Sequence, residues 1–156
     1  MRKYDHLFFD LDNTIWDFTT NSCLAMKQTL EEENLLSRMY SFDSYFEVYE
    51  RINKSLWSDY HSKKITKQNL IIERFSRSLQ EFGITGLNWG ELNDRYLENM
   101  ALQTALFPGT METLQTLKIR GYQMYIITNG FKEVQRAKLV NCGLDRFFSK
   151  VLKNLI

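Results

Sequence analysis

A short apolar run, His6-Leu7-Phe8-Phe9, breaks off into the acidic turn Asp10-Leu11-Asp12-Asn13-Thr14. Much later a second run, Tyr122-Gln123-Met124-Tyr125-Ile126-Ile127, breaks off into Thr128-Asn129-Gly130. Runs this short, dense in large apolar groups, fit buried strands of a parallel sheet, which has no solvated face to alternate with. Such a sheet needs long crossovers between strands and binds ligands beyond their carboxyl ends. Both polar turns lie at such ends.

The sequence between and after the turns reads as helices. From Asn21 to about Glu33 the pattern is helical, with Leu24, Met26 and Leu30. A second helix is expected from Phe42 to His61, with a stripe through Tyr45, Val48, Tyr49, Ile52, Leu56 and Tyr60. Thr66 is the natural N-cap of a third, which carries Leu70, Ile71, Phe75 and Leu79 and stops at Gly83. A fourth spans roughly Trp89 to Gln103, with Leu92, Tyr96 and Met100 inward. Phe107-Pro108-Gly109 launches a helix with Met111, Leu114 and Leu117 that ends at Gly121. Another runs from about Lys132 to Asn141, with Gly143 as its C′ glycine, and Phe147 to Leu152 begins a third strand. Strands alternating with helices predict an α/β fold. The expected core is a Rossmann-like parallel sheet formed by residues 1–16 and 102–156, with residues 17–101 inserted as a four-helix cap.

Composition narrows the function more than it names it. The formal net charge of +1 across 156 residues gives no field for a nucleic acid polymer or an anionic membrane. No apolar run reaches the ~20 residues of a membrane span, and no secretory pattern follows Met1-Arg2-Lys3. A cytoplasmic protein is expected, with Cys23 and Cys142 reduced.

The chemistry is concentrated in the turns. Asp10 and Asp12 alternate around Leu11, so a tight turn brings both carboxylates to one site. Two carboxylates this close repel unless a cation neutralises them, and Mg²⁺ suits a few carboxylates plus phosphate oxygens and water. A carboxylate can attack phosphorus, and a second can move the proton of the leaving oxygen and of water. Thr128 supplies a hydroxyl, and Asn129 and Gly130 approach a helix N-terminus, where backbone amides favour an anion. An Asp-x-Asp pair alone is most often a solvated turn. Two such turns, each closing a buried strand, are a more specific pattern.

Phe8-Phe9-Asp10-Leu11-Asp12-Asn13-Thr14 resembles the first motif of the haloacid dehalogenase superfamily, and Ile126-Ile127-Thr128-Asn129-Gly130 resembles its second. The insertion after the first motif is similar to a cap of the first type. Asn53-Lys54-Ser55-Leu56-Trp57-Ser58-Asp59-Tyr60, Lys64-Ile65-Thr66 and Thr128-Asn129-Gly130-Phe131 look like the pyrimidine-preferring 5′-nucleotidases of that superfamily. The resemblance implies a Mg²⁺-dependent phosphatase that acts on a small phosphate monoester, a nucleoside 5′-monophosphate, through an aspartyl-phosphate. Asp10 would be nucleophile and metal ligand. Asp12 would be acid/base and reach the metal through its backbone carbonyl. Thr128, Asn129 and Gly130 would bind the phosphoryl group. Asn53, Trp57 and Tyr60 on the cap, and Trp16, Phe18 and Phe131 on the core, would meet the base or sugar, against the ordinary reading of aromatic stripes as core.

The same resemblance implies a lysine after the third strand and an acidic pair after a fourth. Lys150 and Lys153 come too early for the first, and no acidic segment follows. The chain is therefore expected to be a truncated member with its Asp10 strand at a sheet edge. Two other readings stand beside the phosphatase. One is an inactive remnant or phosphate-binding module. The other is a dehalogenase in which Asp10 attacks carbon, chemistry that has no use for Asp12.

Overall fold

The computed structural model describes residues 4–153. Three strands, β1 (His6–Phe9), β2 (Gln123–Thr128) and β3 (Lys150–Lys153), form one parallel sheet in the order β1-β2-β3. His6 is in register with Gln123 and Phe9 with Ile126, and Tyr125 is in register with Lys150 and Thr128 with Lys153. β1 thus lies at one edge of the described sheet. Met124 and Ile126 of the central strand are buried, as a parallel strand requires.

Six α-helices are described: α1 (Phe18–Glu32), α2 (Phe42–His61), α3 (Lys67–Gln80), α4 (Trp89–Leu102), α5 (Thr110–Ile119) and α6 (Lys132–Asn141). Two compact units emerge, one built from the chain up to Leu24 and from Met100 onward, the other Ala25–Asn99. The first holds the sheet with α5 and α6, and the second holds α2 and α3 with most of α1 and α4. The architecture is a Rossmann-like α/β core with a helical insertion. None of the described helices is long and apolar enough to cross a membrane.

Local signals account for the helix limits. α1 begins three residues earlier than the sequence pattern suggests. Asp17 caps it: the Thr20 amide donates to Asp17 Oδ1 at 3.0 Å and the Thr20 hydroxyl to Oδ2 at 2.7 Å. In that register Asn21, Ser22, Ala25, Met26, Thr29 and Leu30 are buried, and Leu24, expected on the apolar face, is exposed. Thr66 caps α3 in a reciprocal capping box with Asn69. Gly83, Gly109 and Gly143 take positive φ of 71°, 78° and 64° at helix boundaries, where an L side chain would be strained. The third strand is shorter than expected because Asp145–Phe147 form a 3₁₀ turn ahead of it.

The insertion is cored by aromatic rings. Tyr49, Phe75 and Tyr96 meet one another with centroids 5.6–5.9 Å apart. The buried Arg74 guanidinium lies 5.2 Å from the Tyr96 centroid and donates to Asn93. Rings packed this way add to their area burial, so Tyr49, Phe75 and Tyr96 are structural.

Candidate active site

The acidic turn is built on one carbonyl. Leu11 O accepts from the amides of Thr14 at 3.3 Å and of Ile15 and Trp16 at 3.0 Å each, and the Asn13 amide donates to Trp16 O at 2.8 Å. Asn13 takes φ 59°, the left-handed region that asparagine tolerates better than most residues. Leu11 is wholly buried, Asp10 is exposed and Asp12 is half-buried. Partial burial holds the Asp10 carboxyl above its ordinary value. The Leu11 amide opposes this, the charge of Asp12 adds to it, and the Thr14 hydroxyl opposes it.

Asp10 follows β1 and Thr128 closes β2, so the two polar turns sit at the carboxyl ends of neighbouring parallel strands. Thr128 is buried, and its hydroxyl oxygen accepts from the Gly130 amide at 3.1 Å and from Gln135 Nε2 at 2.7 Å. With two donors on the oxygen, the Thr128 O–H is left to donate outward. The Gly130 amide is spent on Thr128 instead of standing open to an anion. What Gly130 provides is room, since a Cβ there would come within 2.7 Å of the Gln135 side chain. Asn129 is exposed. α6 opens at Phe131 with no side-chain cap, the condition under which first-turn amides can receive an anion.

α6 closes the site from the other side. Gln135 Nε2 donates to Asp12 Oδ2 at 2.8 Å as well as to Thr128, so one amide ties the two strand ends together. One turn on, Lys138 Nζ lies 2.8 Å from Asp12 Oδ1 with its side chain only 3% exposed. Burial pulls the Lys138 ammonium below its ordinary value, and the charge and hydrogen bond of Asp12 pull it back up. The ammonium also stands 3.9 Å from the centre of the Trp16 ring and 5.5 Å from that of Phe18. Trp16 is therefore a fully buried support for Lys138, not the substrate contact expected of it.

Gln135 and Lys138 escaped the sequence reading. A signal exists: Phe131, Gln135, Lys138 and Cys142 recur at helical spacing on one face of α6, and two of the four are strongly polar. Lys150 and Lys153 are exposed on β3.

For a divalent ion the turn offers oxygen donors. Lys138 and Gln135 each donate to one oxygen of Asp12, and Asp10 adds a second carboxylate to the turn. Among the described residues no group of three His, Cys, Asp or Glu is gathered that could hold a metal. A single carboxylate with a backbone carbonyl still fits Mg²⁺, which keeps several waters and takes substrate phosphate oxygens.

Within the insertion, Asn53, Trp57 and Tyr60 share one face of α2, each half-buried. The Trp57 ring meets Tyr60 at 5.8 Å and His61 at 5.4 Å, and Asn53 Oδ1 is buried without a hydrogen-bond partner.

A parallel sheet with an acidic turn after β1 and a Thr-Asn-Gly turn after β2 defines a class of hydrolase fold, and comparison places the chain in it. The family model of the haloacid dehalogenase-like hydrolases matches residues 4–155, and the chain belongs to that family. It is 36% identical to pyrimidine 5′-nucleotidase PynA of Streptococcus pneumoniae over 148 residues, which is 95% of this chain and 60% of that protein. It is 29% identical to pyrimidine 5′-nucleotidase YjjG of Escherichia coli over 146 residues, 94% of this chain and 60% of that protein. The crystal structure of HAD-hydrolase YfnB of Bacillus subtilis, bound to magnesium, superposes with a TM-score of 0.86 at 28% identity, covering 97% of this chain and 64% of that one. The chain thus spans about 60% of the length of these curated relatives.

Proposed function

We propose that the chain carries the catalytic turns of a Mg²⁺-dependent phosphatase of the cytoplasm, which hydrolyses nucleoside 5′-monophosphates. The observation that carries this reading is the Gln135 bridge between Asp12 and Thr128, which joins an acid/base candidate and a phosphoryl-binding candidate in one polar cluster beside Asp10. The similarity to two pyrimidine 5′-nucleotidases supports the substrate class. The second carboxyl group, Asp12, favours phosphoryl transfer over dehalogenation, whose halide leaves without taking a proton.

In this reading an Asp10 Oδ attacks phosphorus while the bond to the ester oxygen breaks, and the leaving oxygen takes a proton from Asp12. Water then attacks the aspartyl-phosphate, Asp12 takes its proton, and the bond from phosphorus to Asp10 breaks. Phosphate is released with both carboxyl groups restored. The Thr128 O–H, the Asn129 amide and the first-turn amides of α6 hold the phosphoryl oxygens. Asp10 would hold Mg²⁺, which would supply positive charge to offset that of the phosphoryl group. Phe131 offers a ring face for a base at the start of α6.

The test is phosphate release from a panel of nucleoside monophosphates with Mg²⁺, for this chain and its Asp10→Asn variant. Release that disappears in the variant is expected. No release from either, or release that survives in the variant, overturns the proposal for this chain.

A further inference from the structure

The described sheet is covered on one face only. The connections from β1 to β2 and from β2 to β3 step across it in the same direction, so right-handed crossovers put α5 and α6 on the same side. Met124, Ile126 and Thr128 face that side and are at most 4% exposed. The opposite face carries Phe8 beside Tyr125 and Ile127 beside Leu152, in register across the three strands. Phe8 is 56% exposed and Leu152 38%, and Tyr125 and Ile127 are half-buried. The Phe8 and Tyr125 rings stack with centroids 5.0 Å apart, which joins two strands in one apolar patch. Parallel sheets are stable with both faces covered, and this one presents a bare one.

The two edges differ as well. β3 carries Lys150 and Lys153, charges of the kind that blunt an edge. β1 reads His6-Leu7-Phe8-Phe9, with no lysine and no proline, and among the described residues no strand pairs its outer side. We infer that the bare face and the open β1 edge form one docking surface for a separate polypeptide, which adds a strand to β1 and lays an apolar helix over Phe8, Tyr125, Ile127 and Leu152. A second copy of this chain meets only half of that requirement. Two copies joined edge to edge through β1 leave both faces bare. Two copies stacked face to face leave both edges open. A face three strands wide and four residues long then covers only about 200 Å², at ~3.3 Å per residue and ~4.8 Å between strands, against ~800 Å² per partner in a stable interface. A strand followed by a helix satisfies edge and face together. YfnB superposes on 97% of this chain while only 64% of YfnB is covered, so that protein holds further polypeptide on the same framework. The inference stands independently of the phosphatase reading.

The experiment co-expresses the full chain with the part of PynA that lies outside its match to this chain, carried on a second, tagged polypeptide. The chain retained on the tag is measured, and the mass of the eluted species is read by light scattering. A one-to-one complex is expected. Phe8→Lys and Leu152→Lys should each cut retention about tenfold, as loss of an apolar anchor does. Phe8→Leu should keep it. Ile119→Lys, at a position 79% exposed on α5, should leave it unchanged. Amide exchange of His6–Phe9 should slow in the complex, because an added strand takes up the free backbone groups of that edge. A chain that is not retained overturns the inference, and so does a complex that both lysine variants leave intact. A homodimer that Phe8→Lys dissolves gives the face to a second copy and overturns it too. If Phe8→Lys loses the circular dichroism of the parent, Leu152→Lys and the exchange of His6–Phe9 decide by the same criteria.

Discussion

The ammonium of Lys138 lies 3.9 Å from the centre of the Trp16 indole, so the cation that pairs with Asp12 rests on the aromatic ring that follows Asp12 by four residues. The acidic turn thus folds back beneath its own counter-ion. The Trp16 Nε1 also donates to Gln103 O at 3.2 Å, which ties the turn to the segment entering from α4.

Trp16 is accordingly a stability residue with a functional edge. Trp16→Leu leaves a cavity and strips the ammonium of its aromatic face, and should cost about 3–5 kcal/mol in urea unfolding. Trp16→Phe keeps a ring under Lys138 and should cost about half as much, with the midpoint moving and the slope unchanged.

Asn21 supports the same region through two bonds to one backbone unit. Its Nδ2 donates to Ala105 O at 2.8 Å, and its Oδ1 accepts from the Ala105 amide at 3.0 Å. Asn21 is wholly buried, so Asn21→Ala strands a donor and an acceptor and should destabilise by about 2–4 kcal/mol, measured by the same unfolding assay.

Gly130 links stability to activity. A Cβ at this position meets the buried Gln135 side chain and no backbone atom. Because Gln135 is bonded to both Asp12 and Thr128, Gly130→Ala should cost about 1–3 kcal/mol. By pushing Gln135 off Thr128 and Asp12, it should lower phosphate release by about a hundredfold, as a displaced catalytic constellation does. Loss of stability without loss of activity would show that the bridge is incidental.

Asp10 has its carboxyl raised above its ordinary value of 3.8, chiefly by burial. The folded chain therefore holds this proton more tightly than the unfolded chain. Ionised Asp10 costs stability above the raised value, and the cost fades as pH falls through that value toward 3.8. In the presence of a chelator, Asp10→Asn should melt higher than the parent at neutral pH. The difference should shrink on acidification and be absent below pH 3.8. A variant that melts lower at neutral pH would contradict this.

Much of the site was legible in the chain because its elements are local. A strand of four residues, a turn closed on Leu11 O, and the helices from Phe42 to His61 and from Lys132 to Asn141 are set by spacing, caps and glycine positions within a few residues of each other. α1 starts ahead of its expected position because its cap, Asp17 with Thr20, precedes the first apolar periodic residue.

The sequence by itself determined which residues end the strands, and hence that Asp10, Asp12 and Thr128 fall at neighbouring carboxyl ends once the sheet forms. Tertiary structure alone decided what those groups touch. The bond from Lys138 to Asp12 spans 126 residues and that from Gln135 spans 123. No periodicity encodes such a pairing: a lysine in a polar helix reads as a solvated face until the β2–α6–β3 crossover turns that face inward. Trp16 shows the same dependence. Its ring could be read as a substrate face or as core, and only the packing of α6 over the acidic turn made it the support of a buried charge.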